Sequence, residues 1–308
     1  MRAGLVIDTA GEPGDIAGEA RQAEQLGFDL AAGTEHVFFD GPVSNAFVTL
    51  AAAAAVTDHI RLLSAVTILP MYPMALAAKM AATLDRISHG RFELGVGVGG
   101  EFPPEFAANG VPVAGRGART DEALEVLLRL LSGERVTAEG QFGSLQDLRL
   151  DPLPAQQPRP PLWVGGRKTP AMRRAGRFAD VWMPYMVSPD SLARSLAQAR
   201  AFARQAQRPE TSLSGALFIW GCVDADPARA RREAVESVSR IYRQDFEPLA
   251  DRYLLHGDPD MVVARLAEYH AAGADTVIFA LACTPDRRSA VISLFAESVL
   301  PHLADLRR

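Results

Sequence analysis

A (β/α)8 barrel is the fold this sequence predicts, and three observations carry the expectation. Apolar runs of strand length alternate with longer segments of helical period along the chain, the rhythm of βα units on a parallel sheet. Eight strand runs can be counted, at 3–8, 29–34, 61–68, 92–98, 161–164, 180–183, 213–223 and 276–281. Either half alone would make an open sheet of about four strands with apolar edges facing water. The 308 residues therefore read as one domain, a length that barrels of this class reach.

The helices carry their own punctuation. Asp15 precedes Ile16, Ala20, Ala23 and Leu26, one apolar stripe at helical spacing, and Gly27 follows as a stop. A helix is expected over 73–88, between the third and fourth strands, and another over 119–131, where Leu124, Leu127, Leu128 and Leu131 share a face and leave Arg119, Asp121, Glu122 and Glu125 to water or a neighbouring loop. Thr169-Pro170, Ser188-Pro189, Asp226-Pro227 and Asp258-Pro259 each place a capping side chain before a proline suited to the first helical position. From 133 to 160 the pattern breaks into short extended pieces, 135–137 and 141–142, joined by Glu139-Gly140, and ends in a proline-rich connector. This stretch reads as an inserted hairpin between strands four and five.

Composition narrows the function. With 48% hydrophobic and 22% charged residues the chain can bury a large core. A net charge of −5 offers no general attraction to nucleic acid or acidic membranes, so an anion site has to be built locally. No run of about eighteen apolar residues occurs, and the amino terminus meets Asp8 before a secretory stretch could form. Two cysteines, Cys222 and Cys283, sit in or beside apolar strands and cannot make a disulfide scaffold. A cytoplasmic protein acting on a small molecule is the expectation.

The chemistry concentrates at strand tips. The fourth strand ends in Gly97-Val98-Gly99-Gly100-Glu101, where absent Cβ atoms let backbone N–H groups close on a planar or anionic ligand. Gly95, Gly97 and Gly100 match the spacing of a dinucleotide loop, but Phe102-Pro103-Pro104 stands where that fold needs a helix to open. Gly165-Gly166-Arg167-Lys168 follows the fifth strand and leads into a helix, so free N–H groups, a positive helix end and two cations converge as for a phosphate. Arg173 and Arg174, farther along, read as surface charges. Glu35-His36 lies just beyond the second strand, where barrels place catalytic groups, with a structural histidine as the competing reading. Trp163, Trp182 and Trp220 lie in or beside strands five to seven, facing either a cleft or the helices. Metal-ligand spacings, G-x-S-x-G and Walker A motifs are missing from the sequence. Outside redox chemistry, a barrel hydrolase using paired carboxylates such as Glu35 and Glu101 is the alternative class.

The run from Thr83 to Gly97, with its Ser88-His89-Gly90-Arg91 turn feeding strand four, resembles the signature of the bacterial luciferase-like monooxygenases and their F420-dependent relatives. Further similarity lies in Glu35-His36, Glu105-Phe106, Arg116-Gly117, Asp121-Glu122, Pro160 to Gly166 and Ala179 to Trp182. The resemblance implies a barrel that binds F420 or FMN at the carboxyl ends of its strands. It implies a bulge in strand three, often with a non-proline cis peptide, at Ser64, Ala65, Val66 and Thr67, pressing on one face of the ring. It also implies that Gly97, Gly99, Gly100 and Glu101 line the ring, that Gly165, Gly166 and Arg167 hold the phosphate, and that His36 contacts ring or substrate. The family turn usually reads Ser-Gly-Gly-Arg, and many F420 members carry aspartate at the position of Glu35. The expected activity is F420-dependent hydride transfer, with an FMN-dependent monooxygenase or a non-catalytic flavin-binding protein as alternatives. Small residues over 46–55 and 75–82 suggest a homodimer face.

Overall fold

In the computed structural model, which describes residues 1–7 and 15–306, the eight expected strands close into a parallel barrel. They are β1 (Arg2–Ile7), β2 (Leu30–Gly33), β3 (Arg61–Ser64, resumed at Thr67–Ile68), β4 (Phe92–Gly97), β5 (Leu162–Gly165), β6 (Val181–Met183), β7 (Ser214–Val223) and β8 (Ala274–Leu281). Each pairs with the next, and β8 returns to β1 with Thr276 opposite Arg2. A short strand, Leu255–Gly257, extends the sheet beside the end of β7. Asp8, expected at the end of the first strand, lies outside the described residues.

The barrel strands are buried on both faces, which is why they read as continuous apolar runs. Val6, Leu30, Ala32, Leu63, Ile278 and Ala280 fill the interior, while their neighbours Leu5, Ala31, Leu62 and Phe279 pack outward against the helices. Trp163 sits fully buried inside and donates its indole N–H to Glu93 at 2.6 Å. Glu93 also receives Arg2 at 3.1 Å and Arg61, so the buried carboxylate is paired.

Helix punctuation held at Asp15, Ser188, Asp226 and Asp258, each of which caps its helix through a side-chain oxygen. Thr169 does not. The helix Thr169–Phe178 begins one residue earlier than its Thr-Pro pair suggested, with Lys168 at the cap position and no side chain accepting from its first N–H groups. The inserted hairpin is real but differently divided: strands Arg135–Gly140 and Gly143–Arg149 pair antiparallel, and Gln141-Phe142 forms the turn rather than a strand. Arg174 is buried, not a surface charge, and bonds Asp121 at 2.6 Å and the Gly117 carbonyl at 3.0 Å. At the turn before β4, His89 holds φ 53° and Gly90 φ 79°. A histidine therefore occupies a left-handed position that costs a side chain about 1 kcal/mol.

Beyond β7 the buried Asp224 joins helix to loop. Burial works to raise its carboxyl, but bonds from Arg229, the Asp226 N–H and Arg287 outweigh that and hold it down at about 2. A depressed folded-state value favours the fold above the unfolded value of about 3.9 and loses that contribution as pH falls through the folded one. Acid unfolding between roughly pH 4 and 2 should thus be shallower in Asp224→Asn than in the wild type; parallel curves by circular dichroism would refute this. Among the described residues no helix is long and apolar enough to cross a membrane.

Candidate active site

A cavity of about 540 Å³ opens at the carboxyl ends of the strands, within the range of small-molecule and cofactor sites. Its floor is shaped by an irregularity in β3. Leu62 pairs with Phe92, yet Thr67 rather than Val66 pairs with Val96, so β3 carries one surplus residue. The Ala65–Val66 peptide within that bulge is cis. Ser64 repairs the interrupted ladder: its hydroxyl accepts from the Gly95 N–H at 2.8 Å and donates to the Gly95 carbonyl at 2.9 Å.

The glycines expected to bare the backbone to a ligand first make room for the bulge. A Cβ on Gly97 would lie 2.5 Å from a Val66 methyl, and one on Gly165 would lie 3.2 Å from the other. Val66 therefore reaches into the cavity between β4 and β5. Gly99, at φ +56°, lets Phe106 dock; its Cβ would meet Ile68 at 2.7 Å and the Phe106 ring at 3.2 Å. Gly100 is covered by Arg116, whose guanidinium donates to the Gly99 carbonyl at 3.0 Å.

Docking Phe106 brings the short helix Pro103–Ala108 against the tip of β2. Glu105, fully buried, lies 3.1 Å from His36 Nδ1 through either oxygen and accepts from the Val37 N–H at 3.2 Å. Phe39 stacks on the imidazole with centroids 4.2 Å apart. The ring is thus clamped in plane and by one nitrogen, and Nε2 has no protein partner among the described residues. The acid facing the histidine is Glu105, not the adjacent Glu35.

Glu35 is turned elsewhere. It accepts from the Ile68 N–H at 3.0 Å, Tyr72 at 2.8 Å, Asn45 at 3.1 Å and the Ala46 N–H at 3.3 Å, tying the bulged strand to the start of helix Ala46–Ala54. Burial raises its carboxyl above the usual range against the pull of those donors, and the charge of Glu105 adds to the rise. Glu35→Gln presents an amide N–H to groups that are themselves donors, so a loss of about 1–3 kcal/mol is expected. An unchanged urea midpoint would show that those bonds carry no stability.

Glu35, His36, Ala65, Val66, Gly97, Gly99, Glu101, Gly165 and Gly166 all border the cavity. Ser64 and Thr67 are wholly buried beneath it, and neither Gly100 nor Arg167 borders it. Arg167 instead donates to the Met186 carbonyl at 3.0 Å and lies over the Tyr185 ring. Glu101, exposed at the mouth, accepts from the Tyr185 hydroxyl. Trp182 donates to the Gly166 carbonyl at 2.8 Å and fixes that turn, while Trp220 walls the cavity. Glu105 was visible as a family match but not as a partner of His36, since 69 residues separate them. Among the described residues no cluster of three or more His, Cys, Asp or Glu could hold a metal ion.

The model of the luciferase-like monooxygenase family matches residues 2–276, and the chain belongs to that family. Uncharacterized proteins of Mycobacterium tuberculosis and Mycobacterium bovis are 38% identical over 170 residues, 55% of this chain and 58% of theirs, so the match spans little more than half of those relatives. Among solved structures, an F420-dependent tetrahydromethanopterin reductase from Methanopyrus kandleri superposes with a TM-score of 0.83 at 22% identity, covering 98% of this chain and 99% of that one. The monooxygenase RslO1 from Streptomyces bottropensis gives 0.83 at 25% identity with the same coverage. An F420-dependent secondary alcohol dehydrogenase gives 0.85 at 21%, covering 98% of both. The likeness to the reductase and the dehydrogenase, both under 25% identical, shows the shared barrel fold.

Proposed function

We propose that the chain is an F420-dependent oxidoreductase transferring hydride to or from a small organic substrate, with His36 moving the accompanying proton. The observation that carries this reading is the His36–Glu105 pair on the wall of the cavity. A carboxylate at Glu105 accepts the Nδ1 proton, which leaves Nε2 as the nitrogen able to take or give one. The residues fit a phosphorylated tricyclic coenzyme. Ala65, Val66, Gly97 and Gly99 offer a surface without projecting side chains except the Val66 methyls, and the start of helix Thr169–Phe178, which no side chain caps, packs beside Gly166 as the place for a phosphate. F420 supplies hydride chemistry, whereas reduced FMN supplies oxygen activation.

Titration of the purified protein with F420 and with FMN tests the reading. Preferential binding of F420, followed by substrate-dependent bleaching or recovery of its absorbance, supports it. Preference for FMN with oxygen uptake would shift the assignment to a monooxygenase, the second reading, which the likeness to RslO1 favours. Binding of neither would remove both. The reading includes a homodimer, supported by the outward Val48 and Leu76 on helices Ala46–Ala54 and Met74–Ile87; light scattering measures it.

A further inference from the structure

The cavity is larger than the glycine-lined floor, and its far wall is built by different elements. Phe218 and Trp220 of β7, Leu281 at the end of β8, Ile241 and Pro285 make that wall apolar. Cys283 stands among them, its thiol pushed up to about 11 by burial and therefore uncharged at neutral pH. Most charged groups on the cavity already have partners among the described residues. Glu35 is saturated by its four donors, and Asp40 pairs with Arg243 at 2.8 Å. Glu101 holds the Tyr185 hydroxyl, and Arg288 is committed to Glu19 at 2.7 Å. His36 is bound to Glu105.

One charged side chain bordering the cavity stands apart. Arg240, in the last turn of helix Pro227–Tyr242, forms no hydrogen bond or ion pair with any described residue. The Tyr242 hydroxyl accepts from the Trp220 indole at 3.2 Å. Ser237, one turn before Ile241 and also on the cavity, is 8% exposed and adds a second polar group on the same helix.

We infer that Arg240 is a specificity residue: the enzyme's substrate is a largely apolar organic anion whose carboxylate seats on this guanidinium while its body lies against Trp220, Phe218 and Leu281. The inference rests on the proposed redox reading for its purpose but not for its binding geometry. A guanidinium matches a carboxylate with two parallel N–H donors, and Arg240, exposed beside the apolar wall, offers them from its solvent side. The neutral counterpart of the same molecule forfeits the charge of that bond, and for an exposed guanidinium this sets a preference of up to about fivefold.

Calorimetric titration of the intact protein with a graded set of alkyl and aryl carboxylates, each matched by its primary alcohol, decides the matter. The wild type should prefer at least one carboxylate over its alcohol by about fivefold. Arg240→Ala should abolish that preference while leaving the alcohol's affinity unchanged, and Arg240→Lys should recover part of it. F420 and FMN affinities should be the same in Arg240→Ala and wild type. Equal carboxylate affinity in wild type and Arg240→Ala overturns the inference, as does a wild type that binds no member of the set. A cofactor affinity that falls in Arg240→Ala also overturns it, by placing the residue on the coenzyme. If Arg240 merely answers the helix end, Arg240→Ala lowers the melting temperature and leaves carboxylate preference intact. Failure of the wild type to bind either coenzyme sinks the redox reading alone.

Discussion

Gly95→Ala is expected to cost about 3 kcal/mol of stability, the upper part of the range for overpacking a filled interior. An ideal Cβ at this position would stand 1.9 Å from the Ser64 carbonyl oxygen and 3.1 Å from its carbonyl carbon. That obstacle is backbone, held by the two hydrogen bonds between the Ser64 hydroxyl and Gly95 itself, so it cannot rotate away like a side chain. Relief requires β3 and β4 to separate or the bulge to collapse, and either move releases Val66 from the cavity floor. Gly97→Ala makes the informative comparison. Its Cβ would press on a Val66 methyl at 2.5 Å, which a side-chain adjustment can partly absorb. Chemical denaturation should therefore rank Gly95→Ala well below Gly97→Ala, with the latter losing cofactor affinity more than stability. A Gly95→Ala protein with the wild-type midpoint would mean that the strand crossing is not as close as described.

The same residues show what was legible in the sequence. The eight strands announced themselves because burial on both faces forces unbroken apolar runs, and the helices because their caps and stops are local. The surplus residue in β3 left no such trace. In a strand with polar and apolar residues alternating, an extra residue would break the period, but 61–68 has no alternation to break, and only the resemblance pointed to Ser64 through Thr67. The glycines were legible as positions that need bare backbone, while their purpose was not, because it depends on Val66 and Phe106 arriving from other parts of the chain. Thr169 illustrates the limit of a local rule: a Thr-Pro pair marks a helix start, but Lys168 took the cap position and no side chain accepts from the first turn. Glu35 and His36, adjacent in sequence, serve opposite sides of the β2 tip, since successive residues leaving a strand point in different directions. Only the docking of helix Pro103–Ala108 reveals which acid faces the imidazole.

That acid defines the second large effect. His36→Ala should lower kcat/KM by about 10²–10⁴, the usual contribution of a positioned general acid or base, while cofactor affinity stays near wild type. Glu105 has no cavity contact of its own and works through the ring it orients. Glu105→Gln keeps the shape of the side chain but loses the charge, leaving a weaker acceptor for the Nδ1 proton and a flipped amide as an available wrong partner. Its cost in kcat should accordingly be smaller than that of His36→Ala, with KM little changed. The decisive measurement is the double variant, followed by cofactor absorbance during substrate turnover. Residues acting as one unit are non-additive, so His36→Ala with Glu105→Gln should be no slower than His36→Ala alone. Additive losses would mean that Glu105 touches the reaction by a route that does not pass through His36. Phe39 completes the logic, because its ring fixes the imidazole plane at 4.2 Å. Phe39→Leu should then lower kcat modestly and, unlike His36→Ala, keep the sensitivity to Glu105→Gln, since the proton-carrying nitrogen remains while its aim loosens.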